Sequence, residues 1–81
     1  MTKDQIRTAF LTALTQVAPD LDAAAVSDDD HLQQDLELDS MDILNLVAAL
    51  HRDLGVDIPE LDYPRIATPG LAVAYLAERL G

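Results

Sequence analysis

An unbroken stretch from Ser40 to Gly55, SMDILNLVAALHRDLG, leaves this chain few choices of fold. It contains neither proline nor internal glycine, and Ser40 is a favoured residue for capping the start of a helix. Gly55 provides a natural stop, so the sequence predicts a helix about 21 Å long. The residues spaced to form its core face are Ile43, Leu46, Val47, Leu50 and Leu54.

This helix has more apolar residues than one buried stripe requires. Met41, Leu44 and Ala48 form a second apolar line, flanked by Asp42 and Asn45. One interpretation is that the second line meets a partner protein while the first packs into the core. The alternative is that a thin bundle buries both lines.

Two more helices are predicted, one at each end of the chain. Apolar residues recur at helical spacing from a Thr2 cap as far as Pro19. Near the other end, Thr68 followed by Pro69 is typical of a cap and a first helical position. Between the last two helices, Pro64 can begin only a short helical turn.

Residues 18–39 form the longest connection and are rich in Asp. The scattered apolar residues in this segment indicate a tethered surface loop, and loops of this length in small domains tend to be functional. No segment alternates with period two, which argues against a sheet. We therefore expect a single all-α domain over residues 1–81, a four-helix bundle of three longer helices and one short helix with a long first loop.

The charge of the chain limits its partners. Its formal net charge is −10, and no Lys or Arg lies between Arg7 and Arg52 to offset nine acids. Nucleic acids and anionic membranes are therefore poor partners, whereas a basic patch on another protein would be attracted. No stretch approaches the length of a membrane span and no secretory signal is recognisable, so we expect a cytoplasmic monomer without membrane insertion.

The chemistry available to the chain is also limited. It has no cysteine, so any thiol chemistry needs an imported thiol. The run Asp28, Asp29 and Asp30 lacks the Gly and final Glu of a calcium loop, and no metal site is predicted. Ser40 and His51 are about 16 Å apart along one helix and cannot form a catalytic pair. Distance does not exclude His31 as a partner of Ser40.

The string DLELDSMDILNLVAALHRDLGVDIP around Ser40 resembles the acyl carrier protein family, whose hallmark is an Asp-Ser-Leu or Asp-Ser-Met step opening the second helix. The resemblance extends over the whole chain, including the acidic first loop and the Tyr75-Leu76 pair. It implies that Ser40 receives 4′-phosphopantetheine from coenzyme A and that the thiol of this arm carries an acyl group as a thioester. The protein would then be a carrier and not an enzyme.

The resemblance also assigns roles to neighbouring residues. Asp39 would help to present Ser40 to a phosphopantetheinyl transferase and its metal. Other expected partners are an acyl-loading ligase or acyltransferase and ketosynthases or other acyl-processing enzymes with basic docking patches. Those partners would meet Met41, Asp42, Leu44 and Ala48. An acyl chain would lie against Leu46, Val47 and Ile66, although simple packing also explains these three.

The chain departs from the family pattern at two places that bear on its selectivity for partner enzymes. Many fatty-acid carriers have Gly where this chain has Glu37, and Glu at several exposed positions of the second helix where this chain has Asn45, His51 and Arg52. We therefore expect a carrier of a specialised fatty-acid, polyketide or related pathway. An aminoacyl carrier of the D-alanyl type, or a cofactor-free acidic interaction module, is the alternative.

Overall fold

The computed structural model describes residues 1–80, which fold around one hydrophobic core. Its α-helices are α1 (Lys3–Val17), α2 (Ser40–Leu54) and α3 (Pro69–Leu80). The 3-10 helix Glu60–Ile66 precedes α3, a short 3-10 turn covers Ala23–Ala25, and no strand occurs within residues 1–80. The predicted all-α bundle of three longer helices and one short helix is confirmed.

The N-terminal ends of α1 and α3 have the caps that the sequence predicts. The Thr2 hydroxyl accepts the N–H of Gln5 at 3.1 Å, and the Gln5 side chain accepts the N–H of Thr2 at 2.8 Å. The Thr68 hydroxyl accepts the N–H of Leu71 at 3.2 Å, with Pro69 as the first residue of α3. These bonds satisfy backbone donors that have no partner inside a helix.

The start of α2 differs from the prediction by one residue. Asp39, and not Ser40, is the N-cap, and its carboxylate accepts the N–H of Asp42 at 2.8 Å. Asp39 has the extended backbone of a cap residue, and its negative charge suits the positive end of the helix dipole. Ser40 is consequently the first residue inside the helix. At the other end, Gly55 has a left-handed φ of 69° and ends α2 as predicted.

The short helix also begins earlier than predicted. It starts at Glu60, so Pro64 lies inside it and does not open it. A 3-10 helix tolerates this because the fixed φ of proline falls within its range. The tighter helix has three residues per turn, which places every third side chain on the same face.

The first loop is fastened to the start of α3. The N–H of Leu32 donates to the carbonyl of Ala67 at 2.9 Å, and the N–H of Gly70 donates to the carbonyl of Asp28 at 3.1 Å. Three of its apolar residues are buried and two are half-buried, as expected for a tethered loop: Val26, Leu32 and Leu38, then Leu21 and Leu36. This anchoring holds the chain in place where it enters α2.

A polar cluster joins the 3-10 helix to α3 around a buried tyrosine. The Tyr75 hydroxyl donates to the Asp62 carboxylate at 2.8 Å, and Arg79 bonds the same carboxylate at 3.1 Å. The guanidinium groups of Arg65 and Arg79 each lie 4.7 Å from the centre of the Tyr75 ring. Burial, with a further contribution from the Asp62 hydrogen bond, raises the pKa of Tyr75 above its ordinary value.

Within residues 1–80, every helix is too short or too polar to cross a bilayer.

Candidate functional site

Ser40 stands exposed at the start of α2 with its side chain free. The cap is supplied by Asp39, and no hydrogen bond to the Ser40 hydroxyl is found among residues 1–80. The Asp42 N–H is taken by Asp39, whereas those of Ser40 and Met41 have no acceptor in the same part of the chain. A phosphate ester on this hydroxyl would therefore find free backbone donors and the positive end of the helix dipole.

A groove of about 440 Å³ lies beside Ser40, between the start of α2 and the 3-10 helix. One wall comes from the first loop, one from α2 and one from the 3-10 helix. The lining residues are His31, Leu32, Gln33, Ser40, Ile43, Leu44, Glu60, Tyr63, Pro64, Ile66 and Ala67. The lining is mixed in polarity, which distinguishes the groove from the wholly apolar core beneath it.

The structure separates the three residues expected to contact an acyl chain. Ile66 lines the groove, but Leu46 and Val47 do not. Leu46 is fully buried in the core, and Val47 is half-buried against it. Both are therefore placed for packing, and reaching them would require the helices to move apart.

Glu60 and Tyr63 are among the groove residues that were not predicted from the sequence. Glu60, Tyr63 and Ile66 all line it because side chains three residues apart eclipse in a 3-10 helix. A period of three between Glu60 and Ile66 is the signal that could have found Glu60 and Tyr63. His31 was considered only as a possible base for Ser40.

The hydrogen bonds of His31 argue against that catalytic role. Its Nδ1 accepts the N–H groups of Gln33 at 3.2 Å and Gln34 at 3.3 Å. A nitrogen that accepts is unprotonated, so the hydrogen of the neutral ring resides on Nε2. Neither ring nitrogen is then free to take a proton from Ser40. The ring serves as the cap of a turn in the loop.

The second apolar line of α2 lies on the surface. Met41 is 62% exposed, Leu44 is 47% exposed, and Ala48 is also exposed. The interpretation that a thin bundle buries both lines is therefore wrong. Large apolar side chains at this level of exposure next to Ser40 are available to a partner.

Acidic residues surround this surface. Asp35, Glu37 and Asp39 are exposed on the approach to α2, and Asp42 is half-buried with its carboxylate accepting the Asp39 N–H at 3.2 Å. Glu37 has a left-handed φ of 63°. The exposed Glu37 side chain therefore stands on a backbone conformation that costs an L-residue free energy.

Arg52 of α2 does little to neutralise the negative charge near Ser40, because its guanidinium group is already engaged. Arg52 donates to the Asp53 carboxylate at 3.0 Å and to the Gln16 side chain of α1 at 2.9 Å. The hydrogen bond to Asp53, together with its charge, raises the pKa of Arg52. Two acids of the first loop are likewise used within the chain, because Asp28 pairs with Arg7 and Asp30 accepts the Ser27 N–H at 2.8 Å.

Comparison with known proteins identifies what the chain resembles. A family model described as the phosphopantetheine attachment site matches residues 4–76, a range that includes Ser40. A curated acyl carrier protein from Picosynechococcus sp. is 39% identical over 62 residues, which is 76% of this chain and 76% of that protein.

Proposed function

The chain belongs to the acyl carrier protein family, whose cofactor is 4′-phosphopantetheine, and on this premise we propose that Ser40 is the residue to which the cofactor is attached. The observation that carries the proposal is the free Ser40 hydroxyl at the first position of α2. It is exposed, it is released from capping by Asp39, and it lies beside unpaired backbone donors. A phosphodiester is stabilised at such a position.

The attachment reaction needs a separate transferase. A bond forms between Ser40 Oγ and the phosphorus next to the pantetheine of coenzyme A, the pyrophosphate bond breaks, and adenosine 3′,5′-bisphosphate leaves. The hydroxyl proton passes to a base of the transferase, because the ring nitrogens of His31 are both engaged or protonated. Asp39 is exposed beside Ser40, and we assign to it the presentation of Ser40 to the transferase and its metal.

The exposed line of α2 is the proposed docking surface for partner enzymes. Met41, Leu44 and Ala48 offer apolar contact, and Asp42 contributes charge at the same end of the helix. A basic patch on a transferase, a loading ligase or acyltransferase, or a ketosynthase complements this surface. Attraction between opposite charges speeds such encounters and weakens as salt is added.

The cargo and its pathway are both part of our proposal. We infer acyl intermediates of a specialised fatty-acid, polyketide or related pathway, since His51 and Arg52 interrupt the acids of α2. Support of bulk fatty-acid synthesis at the efficiency of a housekeeping carrier would contradict the specialised role. Loading assays with acyl-activating and D-alanyl-activating ligases separate acyl from aminoacyl cargo.

The attachment site is tested by intact-mass measurement. After incubation with coenzyme A and a broad-specificity transferase, the protein should gain the mass of one phosphopantetheine. Ser40→Ala should gain nothing, whereas Ser27→Ala should be modified like the unaltered protein, because Ser27 is the only other serine. An unmodified protein beside a control carrier modified in the same tube would overturn the proposal and favour a cofactor-free interaction module.

A further inference from the structure

We propose that a shallow depression between α1 and α2 is a second contact for partner enzymes, and that Arg52 binds a carboxylate side chain of the partner there. The inference rests on the proposed docking of partners along α2. It adds a point of contact at which the partner must be acidic, whereas the surface next to Ser40 favours a basic partner.

The depression has a volume of about 500 Å³ and lies where the end of α1 meets α2. Its lining residues are Gln16, Val17, Asn45, Ala48, Ala49 and Arg52. Within residues 1–80 no carboxylate lines it, although the chain has 15 acids and a net charge of −10. The depression is therefore a site without negative charge on an acidic protein.

The polar residues of the depression are hydrogen-bond donors. Arg52 donates from Nε to Asp53 at 3.0 Å and from Nη2 to Gln16 Oε1 at 2.9 Å, and no acceptor for Nη1 is found among residues 1–80. Because the Gln16 oxygen accepts this bond, its amide nitrogen remains as a donor. The Asn45 side chain has no hydrogen bond in the same part of the chain and offers a second amide. A carboxylate only accepts hydrogen bonds, so a guanidinium flanked by two amides suits it.

Arg52 differs from the other arginines in what its charge does. Each of the others is paired with a carboxylate of a different segment: Arg7 with Asp28, Arg65 with Glu78, and Arg79 with Asp62. Asp53 instead follows Arg52 directly in α2, so this ion pair joins no two segments. The Arg52 side chain is 64% exposed, and exposed ion pairs contribute little to stability. Its guanidinium is therefore available to a partner.

The depression continues the proposed docking surface. Ala48 belongs to both, and Arg52 follows it one turn further along α2. Asp42, near the other end of α2, lies about 15 Å from Arg52 along the helix axis. A partner that fits both ends presents a basic group near Ser40 and an acidic group at Arg52. A docking patch that is basic along its full length is repelled at Arg52, so the two ends select the partner and fix its orientation.

The test measures loading of the phosphopantetheinylated protein by acyl-activating and D-alanyl-activating ligases. With the ligase that loads the unaltered protein fastest, Arg52→Glu should lower kcat/KM about tenfold, because the partner carboxylate then meets a like charge. The matched control is Lys3→Glu, which changes the net charge equally at an exposed residue about 20 Å from Gln16 along α1. The control should change kcat/KM less than about twofold. No loss in Arg52→Glu, or an equal loss in both variants, overturns the inference.

Exchange of charges tests whether the partner group is a carboxylate. Exposed Asp and Glu residues around the catalytic entrance of the ligase are replaced singly by Lys. One of these ligase variants should restore the loading of Arg52→Glu and should load the unaltered protein poorly. If none restores it, no carboxylate of the ligase binds Arg52 and the inference is wrong.

A ketosynthase with a wholly basic docking patch is the opposite probe, and it decides the question if no ligase loads the protein. Arg52→Glu should react with it about tenfold faster than the unaltered protein, because a repulsion is replaced by an attraction. Lys3→Glu should show no such gain. A gain that is absent, or equal in both variants, overturns the inference.

Leu44→Ala in the same assays separates the depression from the docking surface. A loss of rate in Leu44→Ala without any effect of Arg52→Glu refutes the depression and leaves docking along α2 intact. No effect of either substitution refutes both.

Discussion

Asp39 and Asp42 cap α2 reciprocally, each carboxylate accepting the backbone N–H of the other residue, at 2.8 Å and 3.2 Å. The pair takes over the task that a serine at the helix start normally performs. Because Asp39 provides the cap, Ser40 keeps an unengaged hydroxyl while it remains at the positive end of the helix. The acids beside the serine therefore have a structural role that is separate from any contact with an enzyme.

Replacement of Asp39 separates these two roles. Asp39→Ala removes the cap and should lower the free energy of unfolding by about 1 kcal/mol in urea titrations. Asp39→Asn keeps an oxygen that accepts the Asp42 N–H and should retain most of the stability. If the Asn variant is stable but is modified slowly by the transferase, the charge of Asp39 acts in recognition. Equal stability of the Ala variant and the unaltered protein would contradict the cap.

Glu37 offers a direct test of backbone strain. Its φ of 63° lies in the left-handed region, where a Cβ costs free energy and glycine does not. Glu37→Gly should therefore be more stable than Glu37→Ala by about 1 kcal/mol, as measured by chemical denaturation. The two variants remove the same charge, so their difference isolates the backbone. No difference between them would mean that the loop relaxes around the substitution.

The sequence predicted those features of the fold that depend on residues close together in the chain. Thr2, Thr68 and Gly55 act on neighbouring backbone groups, and their roles as helix ends were predicted. Asp39 and Ser40 are both good caps at adjacent positions, so composition alone could not decide between them.

The groove could not be predicted in the same way, because it is formed by residues that are far apart in the sequence. Ser40 was found from its motif, but the groove beside it is lined in part by Leu32 and Ala67, which are hydrogen-bonded to each other although they lie 35 residues apart in sequence. Tyr63 was missed because a proline suggested a helix start, whereas the chain uses a 3-10 helix with a period of three. A protonation pattern such as that of His31 cannot be predicted without the turn that fixes it.

Tyr75 should make the stability of the protein fall at alkaline pH. Its pKa is raised in the folded state, so below about pH 10, the ordinary value, its contribution to stability is fully present. Above that pH the unfolded chain releases the phenol proton while the folded chain retains it, so the free energy of unfolding decreases. Tyr75→Phe should be about 1–2 kcal/mol less stable at neutral pH because it loses the bond to Asp62.

The slope of stability against pH provides the check on Tyr75. Urea titrations between about pH 9 and pH 11 should show a smaller decrease for Tyr75→Phe than for the unaltered protein. Identical slopes would show that the phenol does not contribute to the alkaline loss.

The docking surface is tested with two leucines of similar exposure on different helices. Leu44 of α2 is 47% exposed and Leu71 of α3 is 51% exposed, so replacing either with Ala removes a comparable apolar side chain. If the transferase covers Leu44, the substitution Leu44→Ala should remove about 1 kcal/mol of binding free energy. The kcat/KM of the transferase should then fall about fivefold. Leu71→Ala should leave that rate unchanged. If the acids around Ser40 steer the encounter, added salt should slow modification of both variants. An equal loss of rate in both would mean that neither leucine marks the contact, and a larger loss at Leu71 would move the docking surface to α3.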